Sequence, residues 1–309
     1  MKNNIEVIDW QKKDSQLNIS YNLDYSPDSI SEIPPSSEEV RRLPFFVQEI
    51  GLTIARSQYY VRRSNLKSFM IIFVTSGTFL INYNGQESIC GAGSAMWIDC
   101  LKPHNFALAS QTDHANIYYV HMYGQGALEY FRFFNRYAPS GYMDLGTTSN
   151  VEIYFQKLLA LYKHQNRNFY NDLSAATLLS TMCHQFIDWV YIDYEKEMPD
   201  YIHKIRKYLD QNYMDTVTLD TLSSEFYLSA SYIQKKFKQF IGISPNEYLL
   251  NTRIKNAKKL LQLSDCTIDH IAAEVGFHDA SYFILQFKKL EGMTPKEYRH
   301  QWGIYVSTN

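Results

Sequence analysis

The chain has 309 residues, 45% apolar and 20% charged, with a formal charge of -2. That length suits two domains of roughly 150 residues, each able to bury a core without a disulfide or metal staple, and it excludes wholesale disorder and a uniformly basic coat. Four scattered cysteines (Cys90, Cys100, Cys183, Cys266) form no C-x-x-C pair, which leaves no zinc knuckle and fits a reducing, cytoplasmic setting.

Residues 1–16 mix charges and lack the apolar stretch of a signal peptide. The purest apolar run, residues 69–74, is far short of the roughly 18 residues of a membrane span. The expectation is a soluble cytoplasmic protein with no membrane contact. Residues 1–45 carry Pro34-Pro35-Ser36-Ser37 and little periodicity, and read as an amino-terminal arm.

From 46 to 125 the runs are short, β-branched or aromatic. Residues 69–74, 78–83 and 86–90 alternate with Ser76-Gly77, Asn84-Gly85 and Gly91-Ala92-Gly93. Asn84-Gly85 is a strong hairpin signal, and strands of this spacing predict an antiparallel sandwich or barrel. Helical spacing returns over 126–196, where Leu179, Cys183, Phe186 or Ile187, and Val190 form an apolar stripe. Residues 193–200 are polar, contain Pro199 and read as a linker.

Residues 200–303 read as all-α and contain a duplication. Residues 218–226 match 267–275 at an offset of 49; after one extra turn residue, 230–232, 237–238, 242 and 244–248 match 280–282, 287–288, 292 and 294–298 at 50. Each copy predicts helix, tight turn, helix, then a third helix start. Leu219, Leu222 and Phe226, like Ile268, Ile271 and Val275, space a buried stripe. Ser229 and Asp279 sit at N-cap positions, and Ser244-Pro245-Asn246-Glu247 and Thr294-Pro295-Lys296-Glu297 are capping boxes with proline at N1. Phe237, Phe283, Phe287, Tyr248 and Tyr298 are assigned to the core. The two copies are helix-turn-helix units at 218–240 and 267–290, and such a second helix has the diameter of the major groove.

Charge supports that placement: residues 200–309 sum to +2 and residues 1–199 to -4. Between 233 and 260, Lys235, Lys236, Lys238, Arg253, Lys255, Lys258 and Lys259 face one acid, Glu247. Such a face suits phosphates, which position a protein without specifying sequence. The alternative is an ordinary solvated helix surface.

The run Gly276-Phe277-His278-Asp279-Ala280-Ser281-Tyr282-Phe283, then Phe287-Lys288-Lys289, Gly292-Met293-Thr294-Pro295 and Tyr298-Arg299, resembles the carboxy-terminal signature of the AraC/XylS family of bacterial transcription regulators. The resemblance implies two recognition helices in successive major grooves of promoter DNA. It gives base contacts to Ser231, Gln234 and Lys235, with Gln suited to adenine and Lys to guanine, and phosphate contacts to Lys238 and Lys288. Ser229 belongs to the same edge; in the second copy Ala280 and Ser281 lie near the duplex and His278 reaches the backbone. Where the family carries a small polar residue and arginine, this chain has Ile284-Leu285, which can only touch thymine methyls or pack internally.

Phe73-Val74-Thr75-Ser76-Gly77, Asn84-Gly85, Gly91-Ala92-Gly93-Ser94, Pro103-His104 and Tyr119-Val120-His121-Met122-Tyr123-Gly124 resemble, more weakly, the family's cupin-like sensory β-barrel. The implied fold is α+β: a cupin-like antiparallel barrel over 46–125, a helical linker and dimerisation region over 126–196, and a tandem helix-turn-helix domain. The stripe from Leu179 is either the dimer contact or packing onto its own barrel. A metal enzyme needs several inward ligands, whereas no His-x-His occurs here, so no catalytic residue, metal or cofactor is expected.

For a sensory barrel, 25 Tyr and 18 Phe suit a carbohydrate, whose C–H faces stack on aromatic rings. The candidate effector residues are Arg56, Arg62, Arg63, Ser76, Trp97, Asp99, His104, Tyr119 and His121, with Trp97 and Asp99 on one strand face. The implied partners are promoter DNA, a small-molecule effector, RNA polymerase and a second copy of the chain, in an activator. The alternative keeps the DNA-binding half and makes the barrel an oligomerisation or protein-interaction module without a metabolite.

Overall fold

The computed structural model describes residues 19–109, 112–163 and 168–304. The chain divides into two compact units, Met1–Glu195 and Lys196–Asn309. The first opens with β1 (Ile19–Asn22), β2 (Ile30–Glu32), the single-turn α1 (Glu38–Arg41), β3 (Phe46–Arg56) and β4 (Tyr60–Arg63). Then come β5 (Phe69–Ser76), β6 (Phe79–Tyr83), β7 (Gln86–Cys90), β8 (Ser94–Asp99), β9 (His104–Leu108) and β10 (His114–Tyr123). It continues through α2 (Gln125–Tyr137), β11 (Tyr142–Asp144), α3 (Val151–Tyr162) and α4 (Phe169–Glu197).

The strands form two antiparallel sheets, ordered β1-β4-β9-β6-β7 and β11-β8-β5-β10-β3-β2. Both sheets are open, so the expected barrel is a two-sheet arrangement without hydrogen-bonded closure. The part of the expected arm over 19–45 is bound into these sheets: β1 pairs with β4 and β2 with β3. What was expected of residues 1–18 lies outside the described residues. At the β6–β7 turn, Asn84 and Gly85 are both left-handed (φ 51° and 85°), which matches the twist of the flanking strands.

The six-stranded sheet is buried on both faces. Met70, Ile72 and Val74 of β5 and Met96 and Ile98 of β8 pack with Phe79, Ile81, Tyr83 and Phe106 of the other sheet. The alternate residues Phe69, Ile71, Phe73, Ala95 and Trp97 point the other way, into a core with Phe131 and Phe134 of α2, Phe155 of α3, and Leu179, Met182, Cys183 and Phe186 of α4. This is why β5 reads as an unbroken apolar run: period two places both sets of side chains in a core. The stripe from Leu179 to Phe186 therefore packs onto its own unit and is not a free dimer surface.

In the second unit, α5 (Asp200–Gln211) precedes α6 (Leu219–Phe226), α7 (Ala230–Ile241) and α8 (Pro245–Leu263); α9 (Ile268–Glu274), α10 (Ala280–Glu291) and α11 (Pro295–Trp302) follow. The polar segment expected as a linker is largely helical, since α4 runs to Glu197 before Pro199 caps α5. Both capping boxes form: Ser244 and Thr294 accept from the backbone N–H of Glu247 and Glu297, whose carboxylates accept from the cap N–H in return. Those bonds hold both carboxyls below the usual glutamate range. The duplication reaches the core. Phe237 meets Tyr248 edge-on at 5.6 Å, and Phe287 meets Tyr298 edge-on at 5.5 Å.

Phe134 is fully buried with its ring 4.8 Å from Trp97. Phe134→Ala should destabilise the first unit by about 3–5 kcal/mol, while Phe133→Ala on the exposed side should change it by less than about 1. Urea denaturation of the full chain, followed by tryptophan fluorescence, distinguishes the two.

Candidate functional site

Each copy in the second unit builds its turn around one left-handed residue. In the second it is Gly276, at φ 88°, where a Cβ would meet the Met214 carbonyl oxygen at 2.6 Å. The equivalent in the first is Tyr227, at φ 54° and 94% exposed. A bulky residue rarely adopts this backbone, and such strain gathers at working surfaces. Ser229 caps α7 by accepting from the Tyr232 N–H at 3.3 Å, and Asp279 caps α10 by accepting from the Ser281 N–H at 2.8 Å.

On α7, Ile233 and Phe237 are buried while Ser231, Gln234, Lys235 and Lys238 are exposed on the other side. On α10, Phe283 and Phe287 are buried while Ser281, Ile284, Leu285 and Lys288 are exposed, Leu285 at 63%. Ile284 and Leu285 are therefore not internal packing. Ala280 is half-buried in the first turn of α10, and exposed His278 lies with its Nε2 3.0 Å from the Thr216 hydroxyl. Both helices present one outward face of the candidate residues. One is polar and basic; the other is apolar in its middle.

The basic cluster is narrower than its sequence. Arg253 donates from Nε to the Tyr213 carbonyl (2.7 Å) and from Nη2 to that of Asp215 (2.8 Å), and lies over the Phe277 ring. It ties the segment after α5 to α8. Lys258 pairs with Glu291 at 2.7 Å, and Lys236 donates to Gln239. Lys235, Lys238, Lys255 and Lys259 are exposed. Two exposed tyrosines stand outside the residues that the sequence singles out: Tyr227 in the turn before α7 and Tyr282 in the first turn of α10. The mismatch of Tyr227 with Gly276 in the repeat was the available signal.

In the first unit the candidate effector residues do not converge as a set. Trp97 is fully buried among Phe131, Phe134 and Phe186, on the helix side of β8. Asp99, on the same strand face, accepts from the Leu101 N–H at 3.0 Å and so fixes a turn. Neither faces the space between the sheets. Arg56 is exposed at the end of β3, opposite His114, and Ser76 closes β5 opposite Asn116. The Tyr119 hydroxyl donates to Glu49 at 2.7 Å.

Three residues do come together. Arg63 donates from Nε to His104 Nε2 at 3.3 Å and from Nη2 to His121 Nε2 at 2.7 Å. His104 Nδ1 donates to the Lys102 carbonyl at 2.8 Å; His121 Nδ1 donates to the Ser68 hydroxyl at 2.9 Å, which in turn donates to the Phe69 carbonyl at 3.2 Å. Both imidazoles are thus neutral acceptors at Nε2. Burial pushes the His104 pKa down to about 4 and that of His121 well below its ordinary range, with the charge of Arg63 adding in the same direction. Beside them a cavity of about 510 Å³ opens between Arg62, Arg63, Asn82 and His104. Among the described residues no group of three or more His, Cys, Asp or Glu is placed to hold a metal ion, and no helix is long and apolar enough to cross a membrane.

Residues 222–301 match a family model described as a helix-turn-helix domain. An uncharacterized HTH-type transcriptional regulator of Escherichia coli, YijO, is 37% identical over 98 residues, covering 32% of this chain and 35% of its own. Regulatory protein PocR of Salmonella typhimurium is 37% identical over 98 residues, covering 32% of each chain. An uncharacterized HTH-type transcriptional regulator of Staphylococcus aureus is 25% identical over 249 residues, covering 76% of this chain and 32% of its own. This chain thus spans about a third of the length of the curated relatives it matches. Among solved structures, the carboxy-terminal domain of the response regulator yesN from Fusobacterium nucleatum is 40% identical, covering 31% of this chain and 95% of that one, with a TM-score of 0.31. That of AraT from Geobacillus stearothermophilus is 28% identical, covering 36% and 93%, with a TM-score of 0.35. The relatives are named as regulators, not enzymes.

Between pH 6.5 and about 4 the unfolded chain binds a proton at His104 that the folded chain refuses. The stability that this neutral imidazole contributes is complete above the window and is lost as pH falls through it. Chemical denaturation of the full chain at successive pH values should show that decline; His104→Gln should reduce its slope, and the part that remains is that of His121, which is shifted in the same direction.

Proposed function

We propose that this chain, whose residues 222–301 are a helix-turn-helix domain of the AraC type, is a DNA-binding transcription regulator that places α7 and α10 in successive major grooves. The observation that carries the reading is the pair of outward faces. Each recognition helix buries two aromatic or aliphatic anchors and leaves Ser231, Gln234 and Lys235, or Ser281, Ile284 and Leu285, exposed at equivalent turns. α7 reads bases by hydrogen bonds, Gln234 suiting adenine and Lys235 guanine. α10 reads chiefly by apolar contact with thymine methyls, because Ile284 and Leu285 are exposed and cannot donate. Lys238 and Lys288 take phosphates, and Ser229, Ala280 and His278 lie at the groove edge.

The first unit holds the effector, a small hydroxylated molecule of carbohydrate type, and the whole acts as an activator with RNA polymerase as its further partner. The support is the cavity at the end of the sheets, where Ser64, Asn82 and Asn105 supply hydrogen-bonding groups. One observation favours the second reading, a first unit without a metabolite: the space between the sheets is filled by Phe79, Ile81, Tyr83 and Phe106. A homodimer would use the outer side of α4, where Trp189 and Ile192 are exposed, since its inner stripe is covered.

Gel shifts of the full chain on promoter fragments, with random competitor, test DNA binding. On a bound fragment, Gln234→Ala should relax specificity at one base pair at a cost of about 1–3 kcal/mol, whereas Lys238→Ala should weaken all sequences alike and lower the salt slope by about one. Replacing thymine by deoxyuridine within the part of the site read by α10 should weaken binding by the wild type. The same replacement should leave a variant carrying Ile284→Ser and Leu285→Ser unaffected. Equal losses in both proteins would remove the methyl contact.

A further inference from the structure

The second unit joins its two copies at more than one place. The first link is α8: Tyr248 packs on Phe237 of the first copy, and Ile254, Ala257 and Leu261 lie in the core of the second. A single helix can bend along its length, so alone it sets the angle between its ends loosely. A second link runs beside it. The segment between α5 and α6, which leads into the first copy, lies against the turn of the second.

Arg253, on α8, donates from Nε to the Tyr213 carbonyl and from Nη2 to that of Asp215. Its guanidinium also lies over the ring of Phe277, 5.6 Å from the centroid, in the turn of the second copy. In that same turn Nε2 of His278 lies 3.0 Å from the Thr216 hydroxyl. The Tyr213 side chain packs against the core of the second copy. Residues 213–216 thus form a strap from the entrance of one copy to the turn of the other. A guanidinium fork fixes the orientation as well as the position of what it holds, which a flexible ammonium does not.

The residue type at Gly276 reports on the strap. The first copy makes its left-handed turn with Tyr227, whose side chain stands in solvent, so the backbone angle alone does not demand glycine. At Gly276 a Cβ would lie 2.6 Å from the Met214 carbonyl oxygen and 2.8 Å from that of Tyr213, both on the strap. The close approach of the strap is what excludes a side chain there.

We propose that Arg253 and the strap of residues 213–216 set the spacing specificity of this regulator: they lock the turn before α10 to the entrance of the first copy, and so fix the interval and rotation at which the two recognition helices meet DNA. The proposal rests on the reading of α7 and α10 as recognition helices and adds the residues that make the interval between their sites specific. Arg253 is a positioning residue, because both of its bonded nitrogens hold backbone carbonyls of the strap. One base pair more or less between two sites changes their separation by about 3.4 Å and their rotation by about 34°. A locked pair of helices cannot follow that change, whereas a hinged pair can.

The test compares binding of the full chain to a bound promoter fragment with binding to fragments carrying one base pair inserted or deleted between the segments read by α7 and α10. The wild type should lose about tenfold or more on either change, the scale of one mismatched base pair. Arg253→Met removes the fork at similar length. Gly276→Asn places a residue that tolerates the left-handed turn, but its Cβ pushes the strap away. Both variants should bind the original fragment more weakly and reduce the ratio between spacings severalfold. Arg253→Lys keeps the charge but cannot hold two carbonyls, so it should resemble Arg253→Met. Thermal melting gives the folded fraction of each variant; an unfolded fraction lowers binding to every fragment alike and leaves the ratio unchanged. A ratio as large in Arg253→Met and Gly276→Asn as in the wild type would overturn the proposal. So would an Arg253→Lys protein that behaves as the wild type, since charge alone would then suffice. A wild type indifferent to the interval would overturn it while leaving DNA binding in place. A wild type that prefers no fragment over random competitor would remove the recognition-helix reading and the spacing role with it.

Discussion

The first unit depends on one constraint: its six-stranded sheet is apolar on both faces and must be covered twice. The five-stranded sheet covers one face and α2, α3 and α4 the other. Everything about the candidate residues on β5, β8 and β10 follows from which face each joins. Ile117, Tyr119 and His121 lie on the inter-sheet side of β10, whereas Tyr118, Val120 and Met122 lie among the helices. A residue on one parity can meet a ligand between the sheets. A residue on the other becomes core, however suitable its chemistry.

That constraint marks where the sequence was legible. Local chemistry read well: the Asn84-Gly85 hairpin, the N-caps at Ser229 and Asp279 and the two capping boxes all depend on neighbouring residues, and all form. Pairing parity did not, because an unbroken apolar strand carries no sign of which side faces which layer. Trp97 and Asp99 share strand parity, but only the helical layer shows that the Trp97 face is closed. The stripe from Leu179 met the same limit, since an apolar helix face does not state whether a sheet of its own chain or a second copy will cover it. The pairing of Arg63 with His104 and His121 joins three strands, β4, β9 and β10, over separations of 41 and 58 residues, which no local pattern encodes.

The second unit shows the complementary case. Duplication preserved what the scaffold needs, namely caps, turn geometry and aromatic pairs, and let the outward faces diverge. Gly276 and Tyr227 occupy the same left-handed position by different means, one by lacking a side chain and one by tolerating strain with its ring in solvent. Gln234-Lys235 and Ile284-Leu285 stand at equivalent positions with opposite chemistry. Counting lysines and arginines overstated the basic face for a related reason. Arg253 and Lys258 have the composition of phosphate contacts, yet their bonds to the Tyr213 and Asp215 carbonyls and to Glu291 make them part of the frame.

The geometry around Arg63 also bears on how a small ligand could act beyond its own cavity. His121 and Met122 are successive residues of β10 and point to opposite faces, so a displacement of one moves the other. The pairing of β10 with β3 shifts register between these two residues, a local irregularity of the kind found beside working sites. On the far face, Met122 touches Cys183 of α4 at 4.0 Å between the sulfurs. Any change that draws Arg63 away from His121 therefore alters the support of a strand whose other side packs on α4. Such a route has an effect only if the packing of Met122 on α4 has two arrangements that bound and free cavities favour differently, because a ligand shifts an equilibrium by no more than its difference in affinity for the two states.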